Sequence, residues 1–221
     1  ASFVTECIPG RTQTRITRPG DIHIGFQTSA EGRTLPARVE AVIKTLERHG
    51  DFTVRRVAEV LPYKYTKLMY NAAISPLAAI AGLDNGQLLT IAQARKLFFG
   101  LLRENYRILK SAGAALERIG PFHPDMVDRL LRLPLVARLL AIPFAKTLRG
   151  TYCSMAGDLP NGPTELDYYN GYLIELAGDR HVPLNRAVYE LAQKVEREGH
   201  DPGLFWLEEL FAATGSGKGS A

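Results

Sequence analysis

A chain of 221 residues, 46% hydrophobic and 23% charged, is long enough for one large domain or two small ones, and its composition is not that of a disordered protein. The formal charge of +4 is mild, and Lys and Arg are scattered among Asp and Glu, which argues against a nucleic-acid partner but suits a small anionic ligand. Charged residues interrupt every apolar stretch before it reaches the roughly 20 residues that cross a bilayer, so no membrane partner is expected.

In chain order, residues 12–17 and 21–26 are short β-branched or alternating runs around Arg18-Pro19-Gly20, which predicts two strands joined by a turn. Residues 35–49 set Val39, Val42, Ile43 and Leu46 at helical spacing and stop at Gly50, and 52–60 read as another strand. Strand and helix alternate as in the closing part of an α/β domain. One helix cannot cover both faces of a sheet, so something that should pack there is expected to be missing. From residue 61 the pattern is helical. A helix over 61–81 is followed by the turn Gly82-Leu83-Asp84-Asn85-Gly86, a long helix over 90–119, and shorter ones over 125–131 and 135–148. Residues 153–158 read as a helical turn or two, and Pro160-Asn161-Gly162-Pro163 as a breaker cluster. Helices then cover 164–177, opened by a threonine cap, and 183–198, with Pro183 in the first turn. The boundaries expected are 1–60 for the α/β segment, 61–210 for a helical domain and 211–221 for a flexible tail. Lys218 in that tail is followed by glycine, unlike a P-loop lysine.

Cys7 and Cys153 lie far apart without metal-ligand spacing, so neither a disulfide framework nor a zinc site is expected, and a reducing cytoplasmic setting fits. The five histidines stand alone, none within a helical turn of another. The chain opens on Ala1 with no initiator methionine, as a processed product or part of a longer reading frame would.

Within 61–81, Lys67, Asn71 and Ser75 are spaced four apart in an otherwise apolar run. Four residues turn a helix by about 400°, so the three stack on one face. The surrounding Leu68, Met69, Ala72, Ala73 and Ile74 predict a buried helix, and a buried ammonium needs a counter-charge or a wet cavity that takes an anionic ligand. The alternative is a solvent-facing stripe. Two further groups stand out: Asp84-Asn85-Gly86, otherwise an ordinary turn, and Ser154-Met155 followed by Thr164-Glu165-Leu166-Asp167-Tyr168-Tyr169-Asn170-Gly171, where Glu165 in a first helical turn could be a simple cap.

Together, K-x3-N-x3-[N/S]-P-L, N-G, S-M and T-E-x-D-Y-x-N-G, in that order around a long helical stretch, resemble the C-terminal half of the ketopantoate reductase (2-dehydropantoate 2-reductase) family, from Gly10 to about Glu198. The resemblance implies a mainly α fold. Its helical C-terminal domain would be like that of 6-phosphogluconate dehydrogenase, preceded by a truncated α/β remnant of a Rossmann-type nucleotide domain. It implies that Lys67 is the general acid, that Asn71, Ser75 and Asn85 bind substrate, that Ser154 holds the substrate carboxylate, and that Glu165 lies by the cofactor. The cofactor implied is NADPH and the partner a small 2-keto acid. An ammonium suits that chemistry, because it stabilises the oxygen on which charge develops and supplies its proton.

Three departures accompany the resemblance. Ser75 stands where the family commonly has a second asparagine, and the spacing from Ser154 to Glu165 is one residue short. No GxGxxG turn occurs in these residues, so they are expected to be inactive alone. The expected function is thus part of an NADPH-dependent reductase that makes pantoate for pantothenate and coenzyme A synthesis. The alternatives are a reductase of another 2-keto acid and a non-catalytic helical interaction or dimerisation module. A homodimer is compatible, because the apolar helix over 90–119 could serve an interface as well as a core.

Overall fold

The computed structural model describes residues 4–7, 12, 14–18, 20–28, 32–50, 53–159 and 163–215. Pro19, the loop residues Pro160, Asn161 and Gly162, and the tail residues 216–221 with Lys218 lie outside the described residues. Two compact units are distinguished. One comprises Ala1–Lys67 with Ala115–His123, the other Leu68–Ala114 with Pro124–Ala221.

In the first unit, β1 (Val4–Cys7) pairs antiparallel with β2 (Thr14–Arg18), and β3 (Asp21–Phe26) pairs parallel with β4 (Thr53–Glu59). The strands on either side of Arg18-Pro19-Gly20 are therefore not partners. Parallel pairing requires a crossover, and α1 (Ala37–His49) supplies it, making β3-α1-β4 a βαβ unit. Gly25 is required in β3, since a Cβ there would lie 2.2 Å from the Val57 carbonyl oxygen on β4. Every side chain of β3 is half-buried, and Ile43 on α1 is fully buried. Arg56 on β4 reaches Glu47 at 2.9 Å and Glu40 at 3.2 Å, tying strand to helix, and Arg55 pairs with Asp21 across the strands. His23 stacks on Tyr63, with ring centroids 4.3 Å apart. Buried Thr66 accepts the Glu117 N–H at 3.0 Å, fixing the segment Ala115–His123 to this unit.

The helix α2 (Leu61–Ala81) begins in the first unit and continues into the second. There follow α3 (Gln87–Thr90), α4 (Ala92–Ser111), α5 (Pro124–Leu131), α6 (Pro134–Leu148), α7 (Ser154–Asp158), a π-helical turn over Asp167–Gly171, α8 (Tyr172–Ala177), α9 (Pro183–Glu198) and α10 (Phe205–Ala213). The second unit is helical throughout, with α4 packed against α3, α5, α8, α9 and α10. Its core includes Leu77, Leu97, Leu101, Leu109, Leu173 and Leu207, each at most 1% exposed. The protein is thus mainly helical, joined to a small α/β segment.

Two expected helices and the expected tail run differently. The helix expected over 90–119 stops at Ser111, because Gly113 takes φ +77° and closes a Schellman motif. In that motif Ala114 N–H donates to Leu109 O at 3.0 Å and Gly113 N–H to Lys110 O at 3.1 Å. The helix expected over 164–177 opens as a widened π turn, after Thr164 Oγ1 accepts the Leu166 N–H at 3.3 Å. Beyond residue 198, α10 extends to Ala213, so the tail expected from residue 211 begins no earlier than Thr214. Trp206 Nε1 anchors α10 by donating to Asp201 O at 3.1 Å, and the buried Trp206, Leu207 and Leu210 give it an apolar face. No helix among the described residues is long and apolar enough to cross a membrane.

Candidate active site

Proline inside a helix has no N–H to give the carbonyl four residues before it, a loss that ordinarily costs about 3 kcal/mol. At Pro76 the carbonyl concerned is that of Ala72. The side chain of Asn170 fills the gap, donating from Nδ2 to Ala72 O at 2.9 Å. Asn170 Nδ2 also lies 3.0 Å from Asn185 Oδ1, and Asn185 Nδ2 donates to Asn105 Oδ1 at 2.8 Å and to Glu104 Oε1 at 3.0 Å. Asn105 Nδ2 in turn donates to Met69 O at 3.0 Å. All three asparagines have 0% exposure. Helices α4 and α9 and the π turn therefore grip the backbone of α2 at Met69 and Ala72, on either side of Asn71.

Asn71 is half-buried, and its Nδ2 donates to the hydroxyl of Tyr169 at 3.3 Å. Tyr169 lies one helical turn after Glu165, whose carbonyl accepts the Tyr169 N–H at 3.1 Å. Glu165 Oε1 accepts from Ser154 Oγ at 3.3 Å, while its Oε2 is buried and has no hydrogen-bond partner among the described residues. Next to Ser154, the thiol of Cys153 donates to Ser75 O at 3.5 Å. Asn71, Ser75, Cys153, Ser154, Glu165 and Tyr169 thus form one connected polar group in the helical unit, built from α2, the start of α7 and the segment that opens the π turn.

Burial keeps the phenol and the thiol of the group protonated. Burial raises the Tyr169 phenol above its ordinary value. The hydrogen bond from Asn71 partly opposes this, and the charges of Glu165 and Cys153 add to it. Burial pushes the Cys153 thiol up to about 11 against the hydrogen bonds it makes, with Glu165 contributing. At neutral pH both are neutral donors, and Cys153 is not a thiolate nucleophile.

The stripe on α2 is graded along its length. Lys67 is exposed, Asn71 half-buried and Ser75 4% exposed, so the ammonium is not buried as the apolar run suggested. Lys67 closes the first unit, one helical turn before Asn71 on the same continuous helix. Asn85 is also buried but sits elsewhere, in the turn before α3. Its Nδ2 donates to Thr151 Oγ1 at 3.2 Å, its N–H donates to Thr151 O at 2.9 Å, and its Oδ1 has no hydrogen-bond partner among the described residues. It therefore steadies the stretch leading to Cys153 and Ser154. The neighbouring Asp84 is a helix cap. Its Oδ1 accepts the Gln87 N–H at 2.8 Å while Gln87 Oε1 accepts the Asp84 N–H at 2.9 Å, a reciprocal capping box. Gly86 allows α6 to come close, since a Cβ there would meet Ala145 O at 2.6 Å.

Sequence reasoning did not single out Tyr169, Cys153, Asn105 or Asn185. Tyr169 lies inside the quoted T-E-x-D-Y-x-N-G segment, four residues after Glu165, and that spacing was its available signal. No cluster of three or more potential metal ligands occurs among the described residues.

Residues 59–196 match a family profile described as the C-terminal region of ketopantoate reductase PanE/ApbA. A 2-dehydropantoate 2-reductase of Pyrobaculum aerophilum is 29% identical over 164 residues, covering 73% of this chain and 53% of that protein. Another from Listeria monocytogenes is 36% identical over 80 residues, covering 36% of this chain and 27% of that protein. The chain spans about half the length, or less, of the curated relatives it matches. Among solved structures, a PanE/ApbA family ketopantoate reductase from Ralstonia eutropha JMP134 superposes with a TM-score of 0.63 at 21% identity, covering 89% of this chain and 58% of that one. D-mandelate dehydrogenase, solved with NADH and anilino(oxo)acetate, superposes with a TM-score of 0.63 at 17% identity, covering 90% and 59%. These two likenesses concern the fold.

Proposed function

Because the chain belongs to the ketopantoate reductase family, we propose that its residues hold and protonate a 2-keto acid during reduction to the 2-hydroxy acid, with ketopantoate as substrate and pantoate as product. The observation that carries the reading is the connected group of Asn71, Ser154 and Glu165 in the helical unit, three residues that the family resemblance assigns to the site from segments up to 94 positions apart. The curated relatives named 2-dehydropantoate 2-reductase support the choice of substrate.

In this reading the nicotinamide, when bound, supplies hydride to the keto carbon. Lys67 gives a proton from Nζ to the carbonyl oxygen as charge develops there, leaving a neutral amine and a hydroxyl. Ser154 donates to the substrate carboxylate, and Asn71 orients the substrate. Ser75, nearly buried and shorter than asparagine, contributes less reach, and Asn85, bonded to Thr151, supports the stretch that carries Ser154. The described residues offer a dinucleotide one fitting acceptor, the unpartnered Glu165 Oε2, and the sequence holds no GxGxxG cradle for its pyrophosphate. These 221 residues are therefore assigned substrate holding and proton delivery.

NADPH is the dinucleotide this reading takes, and the cytoplasm the compartment. The test is steady-state kinetics of the protein as encoded, with NADPH and NADH in turn, against ketopantoate, 2-oxoisovalerate and phenylglyoxylate. The expected outcome is the highest kcat/KM for ketopantoate with NADPH. A preference for phenylglyoxylate or 2-oxoisovalerate would move the assignment to another 2-keto acid, and activity with none of them would favour a non-catalytic helical module.

A further inference from the structure

We propose that Tyr169 is a substrate-positioning residue, acting by fixing the amide of Asn71 and by presenting its own hydroxyl proton to the bound 2-keto acid. The inference rests on the function proposed above and adds to it a residue that the family resemblance does not assign. Tyr169 Oη accepts from Asn71 Nδ2 at 3.3 Å, so one of the two amide protons is committed and the amide is held in one orientation. A phenol that accepts in this way still has its own O–H to give. A 2-keto acid offers only acceptor atoms at its carboxylate and ketone, so an additional donor is what such a ligand can use.

The backbone around Tyr169 is shaped for this contact. Consecutive residues of a regular α-helix point about 100° apart, so one of a neighbouring pair normally turns away from a facing helix. In the widened turn Asp167–Gly171, Tyr169 meets the Asn71 side chain while the next residue, Asn170, meets the Ala72 carbonyl at 2.9 Å. Two successive side chains of the π turn thus bond to two successive residues of α2. Asn170 belongs to the buried brace and is fixed from behind by Asn185. Tyr169 is half-buried and stands on the less buried side of the same contact, beside Glu165 and Cys153. π turns inside α-helices occur frequently at functional sites, and here the turn has a local purpose that can be tested.

The test is a double-mutant cycle on the full chain, titrated calorimetrically with ketopantoate: wild type, Tyr169→Phe, Asn71→Ala and both together, with thermal unfolding of each to confirm the fold. Asn71→Ser replaces Asn71→Ala if the latter does not fold. The expected result is a loss of affinity of about fivefold for Tyr169→Phe alone and a smaller one, about twofold, when it is added to the Asn71 variant, because the part that acts through Asn71 is already gone and only the direct donation is left to remove. Unchanged affinity of Tyr169→Phe, or the same fivefold loss in both backgrounds, would overturn the role of Tyr169 while leaving the site reading standing. Absence of saturable binding by the wild type would instead overturn the function proposed above, and this inference with it.

Discussion

In the helical unit, Leu77, Leu97, Leu101, Leu109 and Leu173 are at most 1% exposed, and the polar groups among them are bonded to one another through three asparagines with no exposure. In the strand unit, the side chains of β3 are all half-buried, and the ties between α1 and β4 include ion pairs of Arg56 with Glu40 and Glu47 in which every partner remains at least 32% exposed. The contrast shows where structural precision is concentrated. A dry interior makes each hydrogen bond matter, because an unpaired buried group costs more than a bond made in water gains. The proposed substrate group stands on the helical unit's buried brace, and its geometry is inherited from it.

The largest expected effect is therefore in the brace. Asn185→Ala removes the side chain that joins Glu104, Asn105 and Asn170, and should lower stability by about 3 kcal/mol in chemical denaturation. A loss below about 1 kcal/mol would show that the brace contributes little and would erase the contrast between the units.

The next effect is pH-dependent. The Cys153 thiol has its ordinary value near 9 in the unfolded chain and about 11 in the native one. Between those limits the unfolded chain has lost the proton and the native chain keeps it, so stability falls as pH rises from 9 towards 11. The loss is at most about 2.7 kcal/mol, and there is no such effect below pH 9. Cys153→Ala should flatten that part of the stability profile, and an unchanged slope would contradict burial as the cause.

The smallest effect belongs to the strand unit. Glu47 is held below its usual carboxylate range, chiefly by its hydrogen bond to Arg56. The pair is nevertheless exposed, so Arg56→Ala should shift the unfolding midpoint only slightly, and less still at high salt. A shift as large as that of Asn185→Ala would mean that the strand unit depends on specific contacts as strongly as the helical one.

Much of this contrast was legible in the sequence. The bounds of α2 and α9 follow from apolar periodicity and from Pro183, and β3 and β4 are recognisable as short strands. Strand pairing was not legible, because alternation marks a strand without naming its partner, and the strands read as joined by a turn at Arg18-Pro19-Gly20 belong to two different pairs. The end of α4 was obscured by Ala114, Ala115 and Leu116, which continue the apolar pattern past a glycine that in fact takes the left-handed conformation. In the candidate site, the ordered motifs pointed to Asn71, Ser154 and Glu165; Ser154 donates to Glu165, and Asn71 to Tyr169 one turn beyond it. The burial of Lys67 was overestimated, because the apolar composition of α2 is concentrated in its later turns. The brace left one trace that could have been followed: a proline within a helix frees a carbonyl, and a buried side-chain donor must then be found for it. Asn170 is that donor, but its partner Asn185, and Asn105 to which Asn185 donates in turn, come from helices whose approach no local pattern encodes.

The central claim, that these residues deliver a proton to a 2-keto acid as it is reduced, is tested most directly by replacing Lys67 in the protein as encoded and measuring turnover of ketopantoate with NADPH. Lys67→Ala should lower kcat by about 10²- to 10⁴-fold while the thermal unfolding midpoint stays near that of the wild type, as loss of an exposed general acid requires. Near-normal turnover in that variant would contradict the account.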